Sequence, residues 1–268
     1  MNATRTTRPE AASRYHWLRD HGSQDRDRGD RGIATSAIGS RQKREGGGGG
    51  SRAEAEQGGT TGSRPKGGER QMAKVIPSRY KKFFTPDAEK IPEVILFLIE
   101  CAHAQHIKPT QYDLVKSIWL ADTAHLNKFG RPITFDNYVA MIHGPVPSLS
   151  YDALKPGFEY ARIFGEPTPW VSIPTEAADE FIAVKRPSER DLLSDSDKEL
   201  LKWALETVIT LGFRGTRALT HDHPAYIEAW ERRGSAAASE MKPELILEDS
   251  DNSYLADLKY ISENLPQE

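Results

Sequence analysis

One cysteine in 268 residues, Cys101, excludes an intramolecular disulfide framework and suits a protein of a reducing compartment. No apolar run approaches the roughly 20 residues that a membrane-spanning helix needs, and no charged start leads into a signal-type apolar segment. The chain also lacks a Gly-x-Ser-x-Gly element, a phosphate-binding Walker loop and a dinucleotide fingerprint. The polyglycine run at 46–50 follows no strand, so it is no phosphate cradle. No recognised zinc or di-iron ligand set is present. These absences argue against an enzyme, a bound metal or a cofactor.

Large apolar residues are nearly missing from residues 1–72, which hold 14 of the 21 glycines. That segment has 14 Lys and Arg against 9 Asp and Glu. Taking these from the chain totals of 36 and 39 leaves 22 basic and 30 acidic residues in 73–268. A segment so poor in apolar side chains cannot offset its ordering entropy, so 1–72 is expected to be disordered. Its arginines are interspersed with acids, so no dense nucleic-acid patch forms. Met72 stands directly before the foldable region and marks an alternative start, with 1–71 as an upstream extension. A soluble, cytoplasmic protein is expected, with its folded domain over 80–268 and no membrane association.

From Ile91, the residues Val94, Ile95, Leu98, Ile99 and Ala102 continue one apolar helical face. Its start is ambiguous between Asp87 and Pro92. A second helix is expected over 111–127. Thr110 caps it with Asp113 in a capping box, and Leu114, Val115, Ile118, Trp119 and Leu126 share a face. Gly130 and Pro132 end it. Beyond them, Ile133 to Phe135 reads as a strand stub, and Asp136 as the cap of a third helix carrying Tyr138, Met141 and Ile142. The prolines of His143-Gly144-Pro145-Val146-Pro147 would terminate that helix as a rigid corner. Ser148 starts a further turn into Tyr151 and Leu154.

Trp170 to Ile173 and Phe181 to Lys185 read as a small β hairpin within about 168–186. Ser194 with Asp197 opens the next helix, whose stripe is Leu201, Ala204, Leu205, Val208 and Ile209, and Gly212 stops it. Short helices follow over 216–219 and 224–230, separated by His221-Asp222-His223. Residues 235–239 are a surface loop. Tyr254, Leu258, Ile261 and Leu265 suggest a terminal helix laid on the core. The fold class is mostly α: a single compact helical domain with a small β hairpin behind the disordered segment.

The ordered set Trp119, Leu120, Ala121, His125, Leu126, Gly130, Pro132, Ile133, Tyr138, Gly144, Pro145, Val146 and Tyr151, closed by His221 and Trp230, resembles the Panacea domain family of SocA-like antitoxins. The resemblance spans about 87–230. It implies an antitoxin that neutralises, by direct binding, a cognate protein toxin encoded by a neighbouring gene. It also implies that His221 fastens two helices. Two other functions compete with this reading. One is a winged-helix-like transcriptional regulator, for which 136–142 would be the recognition helix. That segment offers only Asn137, and the folded region is net acidic, so nucleic acid is not the expected partner. The other is an adaptor that delivers its partner to a protease.

The partner-binding candidates are Tyr138, His143, Gly144, Pro145, Val146 and Pro147, since a preorganised corner loses less entropy on binding. For Tyr138 and Tyr151, core packing with a hydroxyl partner is the competing account. Trp119, His125, Gly130, Pro132, Tyr151, His221 and Trp230 are read as structural. His103, His106, Asp122 and His125 are spaced to share helix faces, but they read as hydrogen-bonded side chains and no metal is expected.

Overall fold

A computed structural model describes residues 75–247 and 252–265. The expected disordered segment 1–72 lies outside the described residues. Seven helices are described: α1 Lys90–Ala104, α2 Gln111–Phe129, α3 Ser148–Ala153, α4 Tyr160–Phe164, α5 Asp195–His221, α6 Pro224–Arg232 and α7 Asn252–Glu263. Five strands accompany them: β1 Tyr138–Met141, β2 Gly144–Pro147, β3 Trp170–Pro174, β4 Asp179–Val184 and β5 Ser239–Glu240. The mostly helical class is as the sequence indicates. Among the described residues no helix is long and apolar enough to cross a membrane.

The helix ends follow from local chemistry. Asp87 accepts hydrogen bonds from the Glu89 and Lys90 amides, which resolves the start of α1. The predicted face of α1 is buried from Ile91 to Ala102. Thr110 and Asp113 form the expected capping box of α2, and Gly130 ends it in the left-handed region at φ 80°. Ser194 and Asp197 repeat the box at α5. Gly212 interrupts α5 with φ 58° and ψ −175°, so the helical run continues past the predicted stop only by changing direction.

α2 is the central element. Its apolar stripe packs against α1 and α5, as expected, but Lys116, Asp122 and His125 on its other faces are buried too. β3 and β4 form the predicted antiparallel hairpin, with a register shift between Val171 and Ser172. This hairpin joins the helices where the Phe181 amide donates to the Pro109 carbonyl.

Residues 133–147 fold differently from the sequence reading. Residues 133–135 form no strand, and the expected helix over 136–142 is strand β1. β2 is no helix-terminating corner. It pairs antiparallel with β1, register Tyr138↔Pro147 to Met141↔Gly144, leaving Ile142 and His143 as a two-residue turn. β1 also pairs with β5, an element missed in the sequence, giving the order β2-β1-β5. Alternation decides the outcome: Tyr138 and Ala140 face the core, whereas Val139 and Met141 are half-buried. The two prolines sit on the edge strand, where a missing amide donor breaks no ladder.

Asp136 does cap a helix, but the one beyond the hairpin. Its carboxylate accepts from the Leu149 and Ser150 amides and the Ser150 hydroxyl at the start of α3. α7 buries Leu255, Leu258 and Ser262, not the predicted Tyr254 and Ile261, which are exposed. Tyr254 instead donates to the Gly130 carbonyl at the end of α2.

Candidate functional site

The β1–β2 hairpin is held by buried polar groups. Asp122, on α2, accepts from the Ile133 amide at 2.8 Å, the Thr134 amide at 3.1 Å, and the hydroxyls of Thr134 and Tyr138. Burial pushes the Asp122 carboxyl upward against these four donors, and burial also drives the Tyr138 hydroxyl well above its ordinary value, so Tyr138 remains a donor. Burial likewise raises Asp136, to about 6, against the amides it caps. Asn137 uses its whole side-chain amide: its nitrogen donates to the Tyr80 and Phe84 carbonyls, and its oxygen accepts from the Phe83 and Phe84 amides. The Tyr226 hydroxyl donates to the Met141 carbonyl from α6.

Lys116 completes the frame. Its Nζ is buried and donates to the Pro145 carbonyl at 2.6 Å, and burial lowers its pKa to about 7. No ion pair neutralises it among the described residues. Gly144, at φ 103°, passes so close that a Cβ there would lie 2.7 Å from Thr220 Oγ1 and 2.9 Å from Lys116 Nζ. His221 is beside this contact and lies tilted against the ring of Tyr226 on α6, 4.3 Å between ring centroids. Burial, then the positive charges of Arg217, Lys116 and His143, lowers the His221 pKa to about 4.

The predicted partner residues are therefore not one surface. Tyr138 packs edge-on against Trp119 in the core, and Gly144, Pro145, Val146 and Pro147 are all buried. Only His143 of that set is exposed, beside Ile142 at the hairpin tip. The remaining motif residues make contacts within the fold. Trp119 and Pro132 are buried. His125 bridges the Arg131 carbonyl to Ser196 and Asp197. Burial pushes the Asp197 carboxyl upward, but the His125 hydrogen bond and the charges of Lys90 and Arg131 hold it well below the usual range. Tyr151 is half-buried, with Lys155 Nζ 4.0 Å from its ring centre, and Trp230 stacks on Tyr226. His103 meets the Phe181 carbonyl, while Glu100, three residues earlier, accepts from Ser188.

Next to His143 lies a face that the sequence did not indicate. Beyond the Gly212 break, Phe213 is 49% exposed and its ring centre is 4.8 Å from Tyr112 and 5.4 Å from His143. The Tyr112 hydroxyl donates to the Phe213 carbonyl at 3.3 Å. Ile142, at 57%, and Leu211, at 43%, are also exposed. Tyr112 and Phe213 are 101 residues apart, so no local pattern could have joined them. Lys116 did carry a signal: a lysine between Val115 and Ile118 stands beside an apolar stripe.

A family model described as "Antitoxin SocA-like, Panacea domain" matches residues 114–227, from the first turn of α2 into α6. The match contains both hairpins and all of α5. No match was found among curated proteins or among solved structures. Residues 114–227 thus match the SocA-like, Panacea domain family that the ordered motifs resemble.

Proposed function

We propose that this chain is an antitoxin that neutralises a protein toxin, the product of a neighbouring gene, by binding it stoichiometrically in the cytoplasm. The observation that carries the reading is the domain match over 114–227. A hairpin locked by Asp122, Asp136, Asn137 and Lys116 is consistent with it, because a preordered surface loses little entropy on binding. Catalysis plays no part in this proposal. The regulator reading is disfavoured, since 136–142 supplies a strand where a recognition helix is needed.

The test is co-expression of the full chain with the neighbouring gene product. Growth arrest by that product alone, rescue by this chain and co-purification in a fixed ratio are expected. A harmless neighbouring product, together with binding of this chain to its own promoter, overturns the proposal in favour of the regulator.

A further inference from the structure

The exposed face around Phe213 has three properties that together specify a partner. First, it is apolar and preordered. Phe213 is held by Tyr112 on α2 and His143 at the hairpin tip, yet keeps half its surface open. Ile142 beside His143 and Leu211 before the kink are two more of the large apolar residues left exposed in the described chain. Aromatic side chains with few freely rotating bonds give contact area at low entropic cost.

Second, the face is made by a built feature of the backbone. Gly212 has φ 58° and ψ −175°, a conformation essentially confined to glycine, and apart from its chain neighbours and the helix's own backbone nothing in the described residues lies within 4 Å of the position a Cβ would take. The space beside the break is open, and the break sets Phe213 against Tyr112. Leu211 packs back over Gly215, where an added Cβ would meet the Leu211 Cβ at 3.0 Å.

Third, its charge is opposite to that of the folded region. Arg214 and Arg217 are exposed and form no ion pair within the described residues. Arg217 and Lys116 act on His221 in the same sense, as does His143. The acids nearby are Asp113 and Asp222. Asp113 is committed to the Thr110 cap, and Asp222 offsets only part of the positive field at His221. Around this basic spot, residues 73–268 hold 30 acidic against 22 basic residues.

We infer that the face formed by Tyr112, Ile142, His143 and Phe213, flanked by Arg214 and Arg217, docks an acidic segment of the toxin that carries an aromatic or large aliphatic side chain. The apolar side chain covers Phe213, and the carboxylates meet the two arginines, which bind carboxylate bidentately. This rests on the antitoxin reading for the identity of the partner. Residues 1–72 of the same chain do not fit, because their 14 basic and 9 acidic residues give them the sign of the face itself. Two exposed arginines in an acidic domain are also too few for a nucleic-acid backbone.

The experiment places a benzoylphenylalanine photocrosslinker at Phe213, or at the exposed Tyr260 of α7 as a control, in the full chain. Each form is irradiated in its purified complex with the neighbouring gene product. Crosslinks from Phe213 alone, to a segment with two or more carboxylates beside an aromatic or aliphatic residue, are expected. Phe213→Ala and Arg217→Glu should each weaken the complex about tenfold or more while circular dichroism and the thermal midpoint stay unchanged. Arg217→Lys, which keeps the charge but loses the bidentate fork, should fall between the native chain and Arg217→Glu in affinity.

If growth is rescued but crosslinks arise from Tyr260, or join Phe213 to a basic segment, the antitoxin reading stands and this surface is overturned. If the neighbouring product neither poisons cells nor binds, the antitoxin reading fails. The face is then probed with two Phe-containing octapeptides, one flanked by Glu and one by Lys. Selective binding of the acidic peptide, lost in Arg217→Glu, keeps the surface; equal binding or none overturns it. A dimer dissolved by Phe213→Ala, or RNA bound through Arg217, also overturns it.

Discussion

Lys116 donates its buried ammonium group to the backbone carbonyl of Pro145, on an edge strand that two prolines keep from extending further. The buried edge carbonyl needs a donor, and the lysine supplies it without a carboxylate partner among the described residues. The cost falls on the lysine, whose pKa drops to about 7 from 10.5. Between those values the unfolded chain binds more protons than the folded one, so this group makes stability rise with pH across that window. Its penalty is fully present below pH 7. Unfolding free energies from urea titrations between pH 7.5 and 9.5 should rise in the native chain relative to Lys116→Met, by up to about 1.4 kcal/mol per pH unit. Parallel pH profiles would show that the fold does not depress the Lys116 pKa.

Tyr138→Phe separates a core role from a partner contact. The substitution removes one of four donors to Asp122 and leaves the ring against Trp119. A loss of about 1–3 kcal/mol in unfolding free energy is expected, with toxin affinity unchanged once the protein is folded. Weaker binding at unchanged stability would return Tyr138 to the interface.

Gly144→Ala tests the close approach of β2 to α2 and α5. At φ 103° the residue is in a conformation that other side chains rarely adopt, and the added methyl would meet Thr220 and Lys116. Destabilisation of about 2 kcal/mol or more follows, read as a lower thermal midpoint. Val139→Ala, on the half-buried side of β1, should cost less.

Gly212→Ala tests the break in α5. Nothing crowds the new methyl, so only the backbone conformation is penalised, by about 1–3 kcal/mol. Straightening of the helix would relieve that strain and carry Phe213 away from Tyr112. Stability should therefore fall modestly while toxin affinity falls more than in a control substitution at exposed Ile173. Equal affinities would mean that the position of Phe213 is irrelevant to binding.

The elements legible beforehand were those whose causes lie within a few residues of one another. The partners in the Thr110–Asp113 and Ser194–Asp197 boxes are three positions apart, and Gly130 acts on its own backbone. The apolar period of α1 and the β3–β4 hairpin are equally local, and the SocA-like, Panacea resemblance rests on the order of such signals. Tertiary structure decided residues 133–147. Asp136 to Ile142 is too short and too apolar for periodicity to separate helix from strand, and pairing with β2 and β5 settles it. That pairing was invisible beforehand because Pro145 and Pro147 read as breakers until their edge position is known. Burial was also decided by the tertiary fold. Lys116, Asp122 and Asp136 have the composition of a solvated face, and only the carbonyl, hydroxyl and amide partners brought to them by distant segments make their burial tolerable. The candidate site was legible only at His143. Its other principal members, Tyr112 and Phe213, meet because a glycine a hundred residues down the chain turns α5 aside.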